Sequence, residues 1–303
     1  MPALRGDPAD RTIDQLLEFG VVNLDKPPGP SAHQVSAWLQ DVLDIEKAAH
    51  AGTLDPKVTG CLPTLLGEAT RLAEALLVGE KEYIAVLELH ETPPADLADV
   101  LSTFEGRIYQ TPPRKSAVKR ERRVREIHEL TPIDRDGRQV LVRIRCESGT
   151  YIRKLCHDLG LALGTGAHMG DLRRTATTPF DDTDLVTLYD LTDAMAIYRS
   201  NGDEAGLRDV IAPAERALIH LPRVTIAPSA AREVANGAPV YAPGIITADV
   251  STGADGTGEA EAAGEKPLVA CFTPAGAAVC LGRLVGDPAA DRGLVVDLER
   301  VLV

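Results

Sequence analysis

An aspartate placed directly before a proline, at Asp55–Pro56, constrains this chain more than any other short feature. The residue before a proline is pushed towards extended backbone, so Asp55 does not readily continue a helix. The run GTLDP (52–56) therefore predicts a tight turn whose carboxylate projects from a loop, where it can meet a ligand. An Asp that only shapes a turn would produce the same local pattern, so the wider sequence has to decide between the two interpretations.

The composition indicates a globular protein of two domains. The chain has 303 residues, of which 44% are hydrophobic, and no apolar run approaches the ~20 residues needed to span a bilayer. The N-terminal stretch lacks the apolar core of a secretory signal, so we expect a cytoplasmic protein without a membrane partner. The five cysteines contain no Cys-x-x-Cys pair, which favours reduced thiols and predicts no zinc or other metal site.

The charge distribution predicts an RNA-binding face on an acidic body. The net charge is −13, yet residues 107–154 carry a local balance of +8, which leaves −21 for the remainder. Phosphate binding depends on Lys and Arg, so this basic stripe is the candidate RNA contact, although a solvated charged helix is the alternative. The acidic remainder, with only eight Lys in the chain, indicates adaptation to concentrated salt. The candidate RNA-binding residues are Arg114, Lys115, Lys119, Arg120, Arg122 and Arg123.

Hydrophobic periodicity predicts an α+β fold, because helices and strands mix without a regular βαβ alternation. In the predicted helix His33–Leu43, the side chains of Val35, Trp38, Leu39 and Val42 share one face. Other helices are expected over 12–20, 95–104 and 151–163, and strands over 21–24, 83–90 and 140–146. From about residue 219, short strand-like runs with Gly and Pro turns predict a small all-β domain. The expected units are an N-terminal extension (1–20), a catalytic domain (21–218) and the β domain (219–303).

Three separated segments resemble the TruB-type pseudouridine synthases. They are VVNLDKPPGPSAHQV (21–35), the GTLDP run, and SGTYIRKLCHDLG (148–160). The details are similar to the archaeal, dyskerin-like branch, whose members are catalytic subunits of box H/ACA guide-RNA complexes. The stretch LPRVTIAPSAAREVANGAPVYAPGI (221–245) resembles a PUA RNA-binding domain. The resemblance implies a pseudouridine synthase fold with a mixed, mainly antiparallel sheet, followed by a PUA domain.

The resemblance also implies a reaction and its residues. The family isomerises uridine in RNA: the base leaves C1′ of its ribose, rotates and rejoins through C5, with no cofactor. Asp55 matches the nucleophile, whether it attacks C1′, attacks C6 or abstracts a sugar proton. Tyr83 matches the aromatic ring that stacks on the target uracil, and Arg153 matches the arginine that pairs with the catalytic Asp. The other matching positions are Tyr151 (pocket wall), His50 (ordering of the flipped nucleotide), Lys26 (support of the catalytic loop), and Leu172 with Arg174 (pocket lining).

Three functions are compatible with these residues. The first is an isomerase directed to rRNA or tRNA by guide RNA, with small accessory proteins of the H/ACA complex as partners. The second is a stand-alone synthase that modifies the T-loop of tRNA with the same catalytic residues. The third is a non-catalytic RNA scaffold, against which the intact Asp55, Tyr83 and Arg153 argue. The scattered histidines, including His168, show no metal-ligand spacing.

Overall fold

The fold consists of two sheets with helices packed against them. The structure is a computed structural model that describes residues 4–112, 119–250 and 266–303. In these residues the first sheet draws its strands from Gly20 to Pro213, and the second draws its strands from Arg223 to Val301. The predicted class is confirmed: the fold is α+β, and both sheets are mainly antiparallel.

The first sheet has ten strands in the main order β10-β1-β3-β8-β4-β7-β6-β5, with β2 paired to β3 and β9 to β8. Only β3 and β8 run parallel. Its strands are β1 (Gly20–Lys26), β2 (Ala48–His50), β3 (Thr59–Leu66), β4 (Lys81–Leu89), β5 (Gly106–Gln110), β6 (Arg123–Asp136), β7 (Gln139–Cys146), β8 (Ala167–Thr177), β9 (Phe180–Asp181) and β10 (Ala212–Pro213).

The second sheet has six strands in the order β12-β16-β15-β14-β11-β13. It is consistent with the expected PUA-like domain, and one helix that the strand pattern did not indicate, α8 (Pro228–Ala235), packs against it. Its strands are β11 (Arg223–Ile226), β12 (Val240–Tyr241), β13 (Ile245–Asp249), β14 (Leu268–Phe272), β15 (Ala278–Leu284) and β16 (Leu294–Val301).

Eight α-helices occur in the described residues. They are α1 (Ile13–Glu18), α2 (Ala32–Leu43), α3 (Ala73–Leu77), α4 (Leu97–Ser102), α5 (Ile152–Ala162), α6 (Leu188–Asn201), α7 (Ala205–Val210) and α8 (Pro228–Ala235). Short 3₁₀ helices cover Pro8–Asp10, Gly67–Leu72, Asp182–Asp184, Ala214–Leu218 and Ala242–Gly244. Within these parts of the chain, no helix combines the length and apolar character needed to cross a membrane.

The largest cluster of buried hydrophobic residues packs strands of the first sheet against helices that include α2, α5 and α6. Every second residue of β4, including Tyr83, is buried, as the alternating pattern predicts. The predicted face of α2 is wrong in one respect: Val35 and Leu39 are buried, but Trp38 is 46% exposed. The buried strip of this helix is centred on Ala32, Val35, Leu39 and Leu43, and Trp38 lies at its margin.

The N-terminal segment connects the two sheets. The Arg11 guanidinium donates to both carboxylate oxygens of Glu215, at 2.7 and 2.6 Å, and the Ala278 amide donates to the same carboxylate at 3.0 Å. Arg5 donates to the Leu302 carbonyl near the C-terminus. One buried carboxylate therefore holds the N-terminal segment and strand β15 against the first sheet.

Candidate active site

Asp55 lies in the loop between β2 and β3, where the Asp-Pro pattern predicts it. Its side chain is 53% exposed. The Val58 amide donates to the Asp55 carbonyl at 3.0 Å and closes a turn at Pro56. The carboxylate is thus presented to solvent from a short, internally bonded turn, as a group that must meet a ligand requires.

Lys26 supports this loop through hydrogen bonds to its backbone. Its side chain is fully buried at the end of β1. The ammonium donates to three backbone carbonyls, those of Pro27 at 2.9 Å, Pro56 at 3.0 Å and Val58 at 2.7 Å. Burial lowers the pKa of Lys26, and the negative charge of Asp55 opposes that shift. Two of the three carbonyls, those of Pro56 and Val58, follow Asp55 in its loop, so Lys26 constrains the backbone that carries the carboxylate.

Arg153 pairs with Asp55 from the opposite side. It lies in the first turn of α5, and its Nη2 donates a hydrogen bond to Oδ2 of Asp55. Both side chains are more than half exposed, so the pair lies open to solvent at the site. The expected contact between these two residues is therefore present.

Gln110 positions the start of α5, and the sequence patterns did not single it out. Its side-chain oxygen accepts from the Tyr151 amide at 2.9 Å, and its side-chain nitrogen donates to the Tyr151 carbonyl at 3.2 Å. Tyr151 is the N-cap residue of α5 but makes no side-chain cap, so a buried glutamine from β5 holds the backbone there instead. This contact fixes the point from which Arg153 extends.

Tyr83 lies on β4 between Ile144 of β7 and Arg174 of β8. Its side chain is only 9% exposed. Burial is the main cause of its raised pKa, and the guanidinium of Arg174, within hydrogen-bonding reach, acts in the opposite direction. The ring is held rigidly at the edge of the core, and its expected stacking on uracil stays a prediction.

Arg174 connects Tyr83 to the loop that leads to Asp55. Its side chain is 1% exposed. The guanidinium donates through Nε to the Cys61 carbonyl at 2.7 Å and through Nη2 to the Ala51 carbonyl at 3.3 Å. A Cβ added at Gly52 would lie 3.4 Å from Nη1, so this arginine packs directly under the loop. The family resemblance assigned Arg174 only to the pocket lining. The structure shows that its guanidinium also supports the loop that leads to Asp55.

The remaining predicted site residues surround this centre. His50 ends β2, and its buried Nδ1 has no hydrogen-bond partner. Burial, together with the nearby charges of Arg174 and His33, lowers the pKa of His50. Leu172 on β8 pairs with Ala85 of β4 and packs against the core. The roles expected for His50, Leu172 and Tyr151 stay predictions.

Four of the six predicted RNA-binding residues lie in the connection between β5 and β6 or at the first residue of β6, whereas Arg114 and Lys115 fall outside the described residues. Lys119 pairs with Glu121, and Arg120 donates to the Pro112 carbonyl at 3.3 Å. The Arg122 guanidinium lies 5.0 Å from the ring centre of exposed Tyr109. Arg123 begins strand β6, so the alternative of a solvated helix is wrong here.

Taken together, these contacts describe a carboxylate that is held in place but left accessible. Lys26 and Arg174 support the loop through backbone carbonyls, and Arg153 orients the carboxylate itself. A positioned carboxylate next to a cation is suited to nucleophilic or base chemistry at a sugar or base carbon. No group of three or more His, Cys, Asp or Glu in the described ranges is arranged to hold a metal ion. The residues around Asp55 therefore form the candidate active site, and the catalytic role of its carboxylate stays a prediction.

Sequence comparison places the chain in a family. The model of the TruB family pseudouridylate synthase N-terminal domain matches residues 40–99 and 92–152, which include Asp55 and Tyr83. The model of the tRNA pseudouridylate synthase B C-terminal domain matches residues 153–219, and that of the DKCLD (NUC011) domain matches residues 5–36. The chain belongs to the TruB family of pseudouridine synthases, isomerases that act on uridines in RNA.

Similar proteins occur in salt-loving archaea. A "Probable tRNA pseudouridine synthase B" of Halobacterium salinarum is 65% identical, with 99% of each chain covered. The protein of the same name in Haloarcula marismortui is 62% identical, covering 99% of this chain and 94% of that one. These relatives agree with the adaptation to salt that the acidic composition indicates.

Two solved structures share the fold over the entire chain. A chain in the crystal structure of a Cbf5-Nop10-Gar1 complex matches with a TM-score of 0.90 and 42% identity, covering 100% of this chain and 91% of that one. A structure of an H/ACA RNP bound to a substrate RNA containing 2'-deoxyuridine matches with a TM-score of 0.88 and 41% identity, covering 100% and 91%. Both matches include the second sheet as well as the first.

Proposed function

We propose that this pseudouridine synthase is the catalytic subunit of a guide-RNA-directed complex of the H/ACA type. The observation that carries the proposal is the match over 100% of the chain, at a TM-score of 0.90, to a chain of the Cbf5-Nop10-Gar1 complex. Its partners are then guide RNA, substrate rRNA or tRNA, and small accessory proteins that correspond to Nop10 and Gar1. It works in the cytoplasm, where these RNAs are available.

In this proposal Asp55 acts as the catalytic carboxylate, and Arg153 keeps it ionised and oriented. Tyr83 supports the detached uracil, because a base that has left its helix needs a new stacking partner. Lys26 holds the loop that carries the carboxylate. The enclosing wall consists of His50, Tyr151 and Leu172. These side chains come from five separate segments of the chain, and two of them, Lys26 and Arg153, form hydrogen bonds with the Asp55 loop.

The proposed RNA path runs from the β5–β6 hairpin across Asp55 to the second sheet. Lys119, Arg120, Arg122 and Arg123 supply positive charge at one end. In the proposed domain division, residues 21–218 carry the chemistry and residues 219–303 grip the guide RNA. The N-terminal segment 1–20 braces both, through Arg11 and its partner Glu215. Concentrated salt weakens phosphate contacts, so shape and stacking carry a larger share of the binding.

The second candidate is a stand-alone enzyme that modifies the T-loop of tRNA. The names of the relatives from Halobacterium salinarum and Haloarcula marismortui favour it, because each is called "Probable tRNA pseudouridine synthase B". Both candidates use the same catalytic residues and differ in how the uridine reaches Asp55. Activity on bare tRNA separates them.

The test is tritium release from RNA labelled at uridine C5, since the new C–C bond expels that hydrogen. Purified protein is assayed at high salt on bare tRNA, and then with guide RNA and accessory proteins. Release only with the guide, lost in Asp55→Asn, is the expected result. Release from bare tRNA would favour the stand-alone enzyme. No release in any condition, with RNA still bound, would leave the scaffold function and overturn the role of Asp55.

A further inference from the structure

Two exposed histidines meet at one end of the first sheet, away from the carboxylate site. Nε2 of His90 lies 3.1 Å from Nδ1 of His168. His90 follows the last residue of β4, and His168 is the second residue of β8. Register explains the contact: His168 pairs with Glu88, and the His90 amide donates to the Gly166 carbonyl at 3.1 Å. The histidines are 78 residues apart in sequence, so their spacing along the chain gave no metal-ligand signal.

The local structure holds the His90 ring in place. Gly166 has a φ of +67°, and a Cβ added there would lie 2.8 Å from Nδ1 of His90, so the ring lies directly over this glycine. Arg138 donates to the His90 carbonyl at 3.0 Å, and the Leu89 amide donates to the Arg138 carbonyl at 2.9 Å. The backbone on both sides of His90 is therefore fixed before any ligand arrives, which lowers the ordering cost of binding.

The distance between the two nitrogens allows both to bind one metal ion. Neutral imidazole nitrogens bind first-row divalent ions at about 2.0–2.1 Å. Two nitrogens 3.1 Å apart then subtend an angle of about 95–102° at the ion, between the roughly 90° of square-planar or octahedral coordination and the roughly 109° of tetrahedral coordination. The angle does not choose among these geometries, but a given nitrogen site binds Cu²⁺ most tightly of the first-row divalent ions, with Ni²⁺ next to it in the series. We propose that His90 and His168 form a surface site for Cu²⁺ or Ni²⁺, with water in the remaining positions.

Neighbouring charges limit the strength of the site. Glu88 lies directly across from His168, but its carboxylate already accepts from Gln139 at 2.7 Å. The Arg138 guanidinium, bonded to the His90 carbonyl, adds a positive charge close by. The site consequently has two protein ligands. A bound ion joins the end of β4 to the start of β8, and because it binds only the folded state it stabilises that state by mass action.

The experiment uses the full chain and Cu²⁺ alone, at constant high salt and neutral pH. One equivalent of Cu²⁺ is added, and electron paramagnetic resonance reports the nitrogen couplings while calorimetry reports affinity. The variants are His90→Asn and His168→Asn, and the matched control is His157→Asn, an exposed histidine on α5 without a second ring beside it. Circular dichroism confirms that each variant is folded, as expected for exposed side chains.

The proposal expects couplings from two imidazole nitrogens in the wild type and in His157→Asn. Either site variant should lose one coupled nitrogen and bind Cu²⁺ about 10-fold more weakly or worse. Added Ni²⁺ should raise the melting temperature of the wild type and leave that of the site variants unchanged. An unchanged spectrum and affinity in both site variants would place the copper elsewhere and overturn the proposal. The proposal would also be overturned if the wild type bound Cu²⁺ no more tightly than His90→Asn.

Discussion

The Arg153 guanidinium donates a hydrogen bond to the Asp55 carboxylate across 98 residues of sequence. The two residues come from different elements, a loop after β2 and the first turn of α5, and each element has its own support. Lys26 holds the loop, and Gln110 holds the start of the helix. The geometry of the pair is therefore set by buried neighbours, although the pair itself is exposed.

Replacing Arg153 should reduce the rate of isomerisation far more than RNA binding. Arg153→Met leaves the carboxylate without its orienting donor, and we expect kcat to fall about 100-fold, the size of effect that a small misplacement of a reacting group produces. Arg153→Lys keeps a positive charge without the planar fork and should give an intermediate rate. Single-turnover tritium release measures the effect. Arg199→Met, at an exposed arginine on α6 outside the basic stripe, is the control, and a wild-type rate in Arg153→Met would contradict the assigned role.

Lys26→Met should lower activity with little loss of stability. The substitution removes three hydrogen bonds to backbone carbonyls, but it also removes the cost of burying an ammonium group. We expect the free energy of unfolding to change by about 2 kcal/mol or less while kcat falls about 10-fold or more, because the Asp55 loop is no longer held. Denaturant unfolding and tritium release, run on the same preparation, separate the two effects. Equal losses of folded protein and of activity would argue against a positioning role.

Gly60→Ala should destabilise the first sheet. Gly60 has a φ of +97°, and a Cβ added there would lie 2.2 Å from the Arg174 carbonyl oxygen, where β3 and β8 pair in parallel. Backbone strain and overpacking together should cost about 3 kcal/mol or more. Gly293→Ala is a matched control, because its φ is +115° and nothing lies within 4 Å of the added carbon. Comparing the thermal unfolding of the two variants isolates the steric contribution. Equal losses of stability would show that the contact between the added Cβ and the Arg174 carbonyl is unimportant.

The lowered pKa of buried Lys81 predicts that the free energy of unfolding increases with pH. Its side chain is buried on β4 and donates to the Leu76 carbonyl at 2.9 Å, and burial lowers its pKa to about 7. Between pH 7 and the ordinary lysine pKa, the unfolded chain holds a proton that the folded chain has released. The free energy of unfolding therefore increases with pH in that range, by at most about 1.4 kcal/mol per pH unit. Below that range Lys81 contributes no pH dependence.

The usable window for this measurement ends near pH 8. Burial raises the pKa of Cys61, Cys146 and Cys156 to about 12, and the pKa of Cys280 is raised as well, so above about pH 8 the unfolded chain increasingly loses thiol protons first and stability falls. Urea unfolding at pH 7, 7.5 and 8 and constant salt should show a positive slope in the wild type. Lys81→Met, with an uncharged side chain of similar length, should flatten it. An identical slope in the variant would assign the effect to other groups.

Local rules predicted those elements whose signal is contained in a few neighbouring residues. The alternation along β4, the periodicity of α5 and the Asp-Pro turn at Asp55 were each read correctly to within a few residues. Strand β3 was not predicted, and Pro63 in its middle is unusual for a central strand. In the structure, β1 pairs with β3 along its length, whereas β8 pairs with β3 before this proline and β2 after it.

The sequence by itself determined the class of fold and the family, and it singled out Asp55 as the candidate carboxylate with Lys26 as the expected support of its loop. Only the tertiary structure showed which carbonyls Lys26 binds, and it added Gln110 at the helix start and Arg174 under Gly52 as further supports. It also decided that His90 meets His168. The reason is physical: backbone sterics and hydrophobic periodicity act over a few residues, whereas hydrogen-bond partners are selected when packing brings distant segments together.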